Sequence, residues 1–172
     1  MNTRQKILLA AVSAAALSAT ASAANAQATS TATATASVTL LAPIAIVKDA
    51  DLVFGKVAKA VGTATIAPGG GLSNSTNGPV FVGTGQSAAA FHVTGENGAT
   101  IAWTAPTTAT VTGLTNPVAL TYSWGGTAPT TLVTDGDSDF DFTVGGTIDI
   151  VLADTTSTTA KTGTFTVEVH YN

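Results

Sequence analysis

The chain closes on Phe165-Thr166-Val167-Glu168-Val169-His170-Tyr171-Asn172, in which apolar and polar side chains alternate strictly. Successive side chains of a β-strand point to opposite faces, so one face of this strand would carry Phe165, Val167, Val169 and Tyr171. A strand with one apolar face has to bury that face against other parts of the protein. The closing stretch therefore predicts a core strand, and with it a protein built from β-sheets.

Similar alternating runs recur along the rest of the chain. The clearest of them lie at 89–93, 118–124, 140–144 and 148–152. Gly, Pro and Asn residues separate the runs at intervals near the 8–12 residues that are typical of sandwich folds. No convincing helical periodicity is found outside the N-terminal stretch. We therefore predict an all-β fold, a β-sandwich of antiparallel strands with roughly nine or ten strands.

Two local features of this pattern bear on the topology. Gly145-Gly146 stands between two alternating runs, and a double glycine in that position predicts a hairpin turn. The Thr-rich stretch 107–112 is compatible either with an edge strand or with a loop.

The N-terminal residues have the pattern of an export signal. Arg4 and Lys6 precede an apolar stretch of about ten residues, and small residues follow it. The small-x-small rule allows cleavage after Ala23 or after Ala26, and we favour the second site, which makes residues 1–26 a signal peptide. The apolar stretch is shorter than the roughly 20 residues that span a bilayer, so we expect no transmembrane span in the mature chain. We expect export across the inner membrane of a Gram-negative bacterium, through the periplasm to the cell surface or the medium.

The charge and the cysteine content narrow the class of protein. Removal of residues 1–26 leaves four lysines against ten acidic residues. An acidic surface of this kind argues against nucleic acid and against anionic membranes as partners. The remaining residues suffice for one hydrophobic core. The chain has no cysteine, so no disulfide stabilises the fold.

The sequence divides the mature chain into a Thr/Ala-rich N-terminal extension, residues 27–42, and a sandwich domain, residues 43–172. The extension also alternates, and its apolar positions are Ala32, Ala34, Ala36, Val38 and Leu40. An alanine methyl buries little, against about 1.5–3 kcal/mol for each buried Val or Leu side chain. Two interpretations remain open: a flexible leader, or a slender strand that completes a sheet whose other residues supply the bulk.

No pattern of catalytic residues is found. The two histidines, His92 and His170, each fall on the polar face of a predicted strand. There is no GxSxG nucleophile elbow and no His/Cys cluster with zinc-ligand spacing. The Pro-Gly-Gly-Gly stretch at 68–71 lacks the Lys-Ser/Thr that follows in a phosphate-binding loop. We therefore predict that the protein is not an enzyme and needs no cofactor.

One acidic cluster suggests a cation site. Carboxylates at every second position could bind Ca²⁺, and the candidates are Asp135, Asp137 and Asp139. The EF-hand pattern fails, because Phe140 stands at its sixth position and Gly146 at its twelfth. The alternative is that Asp139 and Asp141 form the solvent face of the strand that carries the phenylalanines.

Trp103 and Trp124 leave a second binding function open, that of glycan recognition. Their alternation with Ile101, Leu120 and Tyr122 favours a place in the core instead. A self-contained secreted sandwich that binds Ca²⁺ or a glycan is therefore the alternative functional reading of the chain.

Four short motifs resemble a secreted bacterial family, domain of unknown function 4402. They are Leu-x-Phe-Gly at 52–55, Leu-x-Tyr at 120–122, Val-Gly-Gly-Thr at 144–147 and the closing Gly-x-Phe-x-Val-x-Val-x-Tyr at 163–171. The resemblance covers the chain from about Ala36 to Asn172, and the closing motif is its most specific part.

That family is in turn similar to chaperone–usher pilins, including the spore-coat-U-like type. The resemblance implies an immunoglobulin-like sandwich that lacks one strand. A periplasmic chaperone would pair with the strand of Phe165, Val167, Val169 and Tyr171. At an outer-membrane usher, the extension of a neighbouring subunit would replace the chaperone, with Ala32, Ala34, Ala36, Val38 and Leu40 as the donor strand. The expected function is that of a structural subunit of a pilus or another surface fibre. Whether the extension is donated or folds back into its own domain stays open.

Overall fold

The computed structural model of the protein describes residues 30–124, 128–132 and 139–172. The predicted signal peptide lies outside these residues. The described part is all-β: it contains eleven strands and no helix, and every ladder between the strands is antiparallel. This confirms the predicted fold class. Across those residues, no helix has the length and apolar character needed to cross a membrane.

The strands are short apart from one. Their bounds are β1 Ala45–Ala50, β2 Lys56–Ala58, β3 Gly62–Ile66, β4 Leu72–Asn74, β5 Val80–Val82, β6 Ala89–Thr94, β7 Ile101–Thr104, β8 Thr108–Ala109, β9 Val118–Ser123, β10 Asp139–Ile150 and β11 Glu168–Tyr171. The stretch 107–112, which the sequence left open, thus contains the short strand β8 and an isolated bridge between Val111 and Gly163.

Strand β10 organises the main sheet of seven strands. One of its edges pairs first with β6, through 139–144, and then with β3, through 146–150. Its other edge pairs with β9, which in turn pairs with β8. Strand β1 lies beyond β6 and strand β4 beyond β3, so these two strands end the sheet.

The predicted hairpin turn at Gly145-Gly146 is wrong. Both glycines lie inside β10, and the alternation of side chains continues through them, because Phe142, Val144, Ile148 and Ile150 are all buried. A Cβ atom on Gly145 would lie 2.3 Å from the carbonyl oxygen of Ile66. The glycines are therefore needed for close approach of the chain at the end of β3, and not for a turn.

The two-stranded sheet of β7 and β11 packs over the main sheet. The Trp103 ring on β7 meets the Phe142 ring on β10 edge-on, with centroids 5.5 Å apart. The Phe165 ring, just before β11, makes an edge contact with Phe91 on β6 at 6.1 Å. These contacts across the core give the domain two layers, as in a sandwich, with aromatic side chains between them. A further ribbon pairs β2 with β5 and buries Val57 and Phe81 in part.

The described chain separates into two units, residues 1–39 and residues 40–172, and the strands all belong to the second. Of the first unit the structure describes residues 30–39, which form no strand and are exposed. The core of the second unit is formed by side chains that are at most 8% exposed: Ala64, Ile66, Ala89, Val93, Ile101, Ala109, Val118, Leu120, Leu132, Phe142, Val144, Ile148, Ile150 and Val167.

Candidate functional site

The closing strand, for which the sequence predicted a role in assembly, has one face in the core. Val167 is 6% exposed, and Phe165, Val169 and Tyr171 are half-buried against the core cluster. The regular ladder is shorter than the alternating stretch, since β11 begins at Glu168 and pairs with β7. The polar residues that alternate with this set are exposed. The predicted core strand is therefore confirmed, with an irregular first half.

The first and last strands of the domain each use one edge. Within the described residues, β11 pairs with β7 alone and β1 pairs with β6 alone. Strand β1 carries an irregularity between Lys48 and Ala50, and the ammonium group of Lys48 lies 2.6 Å from the carboxylate of Asp51. Bulges and lysines limit the pairing of an edge strand. The part of β1 whose outer edge is regular is therefore short and begins at Ala45.

Tyr171 connects these two strands at one end of the domain. Its hydroxyl donates a hydrogen bond of 2.7 Å to the carbonyl oxygen of Ala42 and accepts one of 2.7 Å from the backbone N–H of Glu96. The Glu96 carboxylate in turn accepts a hydrogen bond of 3.1 Å from the N–H of Ala42. We call these three residues the Tyr171 junction. It joins the end of β11, the loop after β6 and the segment that leads into β1.

The Tyr171 junction also explains a glycine. A Cβ atom on Gly95 would lie 2.7 Å from the Tyr171 hydroxyl and 3.4 Å from Leu132. The position is buried, so a side chain there would push the ring away from its partners. Sequence alternation identified Tyr171 as a core residue. Its hydrogen bonds to residues 75 and 129 positions away could not be read from a local pattern.

The candidate donor residues have no ladder and high exposure. Val38 is 83% exposed and Leu40 is 86% exposed, and the alanines Ala32, Ala34 and Ala36 are exposed as well. These residues carry the alternating pattern of a strand, but the structure places no strand before Ala45.

The Ca²⁺ candidates are separated by the limits of the described chain. Asp135 and Asp137 lie outside the described residues. Asp139 begins β10 and lies opposite Thr94 in the register with β6. Its carboxylate is 3.9 Å from Nε2 of His92, while Nδ1 of the same ring lies 2.7 Å from Asp141. The two carboxylates thus approach different ring nitrogens, an arrangement that suits ion pairing better than joint coordination of a cation. Among the described residues no group of three His, Cys, Asp or Glu side chains is placed to hold a metal ion.

The environment of His92 favours its charged form. The hydrogen bond to Asp141 raises the pKa of His92 above its usual 6.5, and the negative charges of Asp141, Asp139 and Asp49 act in the same direction. Protonated His92 thus connects β6 to β10 on the solvent face of the sheet.

Asp154 is a structural carboxylate that sequence analysis did not single out. It is 5% exposed and follows the end of β10. One oxygen accepts a hydrogen bond of 2.9 Å from the N–H of Val151, and the other accepts two from Thr115, from the hydroxyl at 2.7 Å and from the N–H at 2.8 Å. These bonds, Val151 first, lower the pKa of Asp154. The carboxylate joins the loops at 111–116 and 151–154.

The two tryptophans belong to the aromatic core. The Trp103 and Trp124 rings lie 4.9 Å apart, and Trp124 lies 4.5 Å from Phe142. The indole N–H of Trp103 donates to the carbonyl oxygen of Pro129 at 2.7 Å. Nearby Tyr122 donates to the carbonyl oxygen of Pro106 at 2.7 Å, and burial raises its pKa to about 12. The preference for a core role of the tryptophans is confirmed.

The comparisons with known proteins place the domain in a family. The family model described as "Domain of unknown function (DUF4402)" matches residues 44–171. The chain therefore belongs to the DUF4402 family. The match begins directly after Pro43, so it contains all eleven strands of this DUF4402 domain and leaves out the extension. No curated protein and no solved structure matches the chain significantly. The resemblance that the closing motif suggested is thereby confirmed for the DUF4402 family itself.

Proposed function

We propose that this DUF4402 protein is a structural subunit of a pilus or another cell-surface fibre, assembled by donor-strand complementation. The observation that carries the proposal is the pair of unpaired outer edges, on β1 and on β11, at the two ends of one domain. The alternating extension, which makes no ladder within the described residues, supplies a strand that suits such edges.

Strand addition follows from the physics of an edge. An unpaired edge presents N–H and C=O groups that bind water or another strand. An added strand satisfies these groups with main-chain hydrogen bonds, and its alternate side chains provide specificity. Val38 and Leu40 are two exposed apolar side chains on one face of such a strand, and their burial would contribute about 1.5–3 kcal/mol each.

The partners in this proposal are the family of molecules that handle unpaired strands. A periplasmic chaperone would cover the edge of β11 before assembly, and an outer-membrane usher would exchange it for the extension of the next subunit. Phe165 and Val169 support this role, since they are only half-buried beside the edge that would be covered. The protein would be exported and would end at the cell surface.

The experiment compares native fibres from cells that express the full chain, on a denaturing gel with and without heating. We expect a ladder of oligomers in the unheated lane, a single monomer band after heating, and filaments in the electron microscope. A monomer band in both lanes together with an absence of filaments would contradict the proposal.

A matched pair of variants makes the test specific to the extension. The double variant Val38→Asp/Leu40→Asp places charge on the apolar face and should abolish the ladder. The variant Thr39→Asp places the same charge on the opposite face and should retain it. Equal loss in both variants would argue against docking through Val38 and Leu40.

A further inference from the structure

The segment that connects the extension to β1 has an unusual constraint. Ala42 uses both of its backbone polar groups on its own domain, the N–H on the Glu96 carboxylate and the C=O on the Tyr171 hydroxyl. Pro43 follows directly, and its ring restricts Ala42 to extended conformations. The chain is thus held at Ala42 and stiff at Pro43, three residues before β1 ends its approach at Ala45.

A short hairpin from the extension into β1 is incompatible with this constraint. Such a hairpin would place residues 42 and 43 at the centre of a two-residue turn. The usual hairpin turns need a positive φ at the first central residue, whereas among the described non-glycine residues only Asn77 has one. A type I turn disfavours proline at its second central position.

A wider loop would not solve the problem for the extension. It would have to use residues 38–41 as loop residues, so that Val38 and Leu40 would leave the docking face. Only alanines would then reach the edge of β1, and an alanine methyl buries little area. The two bulky side chains of the extension are therefore of use only if the chain continues away from its own β1.

We propose that the Tyr171 junction and Pro43 together deny the extension to its own domain, so that residues 36–40 dock on the β1 and β11 edges of a second copy of this chain. The inference rests on the proposed function and adds to it the device that decides between donation and self-completion. Tyr171 is a positioning residue in this scheme, since it holds Ala42 in place and has no contact with the incoming strand in the scheme itself.

The experiment uses the cysteine-free background of the chain. Side chains on one face of paired strands have Cβ atoms about 4.5–5.5 Å apart, within reach of a short bismaleimide reagent. The double variant Ser37→Cys/Glu168→Cys puts one thiol on the outer face of the extension and one on the outer face of β11. Both positions are exposed. The crosslinked protein is then analysed on a denaturing gel, and the crosslinked peptides are mapped.

A second chain carries the same cysteines and four additional residues, Gly-Asn-Gly-Ser, between Leu41 and Ala42. The insertion leaves the Tyr171 junction in place and supplies a flexible turn. A short flexible connection gives a high effective concentration of the extension at its own edge. The control chain carries the same insertion between Ser157 and Thr158, in an exposed loop.

We expect a ladder of crosslinked oligomers from the unaltered connection and from the control, and an internally crosslinked monomer from the chain with the flexible connection. Ladders from all three chains would overturn the role of the connection and leave the fibre proposal standing. An internally crosslinked monomer from the unaltered connection would overturn the inference directly. The absence of any crosslink would instead contradict docking of the extension on β11, and with it the proposed function.

Discussion

Substitution of Gly145 by alanine tests the continuity of β10, the feature in which the structure differs most from the sequence-based expectation. The added Cβ would lie 2.3 Å from the Ile66 carbonyl oxygen and 2.6 Å from the Pro68 nitrogen. Both are backbone atoms, so no side chain can rotate to make room. The end of β3 has to move by about 1 Å to restore a normal contact of about 3.3 Å.

The expected cost follows from this displacement. Overpacking of a well-packed interior typically costs about 1–3 kcal/mol, and the rigid backbone on the far side places Gly145→Ala in the upper part of that range. A domain of this size loses about 3 °C of melting temperature per kcal/mol, which predicts a decrease of roughly 6–9 °C for 2–3 kcal/mol. Thermal unfolding followed by circular dichroism measures the decrease.

Two glycines in the turn at 67–71 provide matched controls. Gly69 has a φ outside the left-handed region and open space around its Cβ position, so Gly69→Ala should be neutral or stabilise by about 0.4–1 kcal/mol. Gly70 has the same open space but a φ of 82°, so Gly70→Ala should lose about 1 kcal/mol from backbone strain alone. If Gly145→Ala resembles either control, β10 does not approach β3 as described and the reasoning is wrong.

Three further substitutions probe polar contacts. Tyr171→Phe removes both hydrogen bonds of the hydroxyl while leaving the ring, and should lower the free energy of unfolding in urea by about 1–2 kcal/mol; His170→Ala, on the exposed face, should change it little. Because the pKa of Asp154 is lowered, its contribution is present above its unfolded-state pKa near 3.8 and is lost as the pH falls through the lower folded value. The stability difference between the wild type and Asp154→Asn should therefore shrink on acid titration, and a constant difference would contradict the assignment. The pKa of His92 is raised, so its ion pairs stabilise the fold below pH 6.5 and cease to do so as the pH rises through the folded value. The advantage over His92→Gln should thus disappear between about pH 6.5 and 9, whereas an advantage that grows with pH would refute it.

The fold class was open to prediction because its signal is local. Alternation at 118–124, at 140–144 and in the closing strand marks half-buried strands whatever their partners are, and the structure buries one side of each. The DUF4402 resemblance also followed from short motifs, above all the closing one. Such patterns report which face of a strand is buried, since the period of two is a property of the backbone itself.

The same local signal was ambiguous at Gly145-Gly146. A glycine pair satisfies the demands of a tight turn, and it equally satisfies the demands of a strand crossed closely by another segment. What distinguishes the two cases is the position of Ile66, about 80 residues earlier in the sequence. Alternation that continues in phase from Phe142 to Ile150 was the one available clue, and it is compatible with both structures.

The sequence by itself thus determined an all-β chain with an apolar face on its closing strand and a slender, alternating extension at the start of its mature part. These properties depend on side-chain period, composition and residue size. Only the tertiary structure decided that Tyr171 holds Ala42 through its hydroxyl, that Asp154 joins two loops, and that β1 and β11 each keep an edge unpaired within the described residues. These facts depend on contacts between residues far apart in the sequence, where the closing strand now has a second role: its apolar face belongs to the core, and its last aromatic residue sets the point at which the extension leaves the domain.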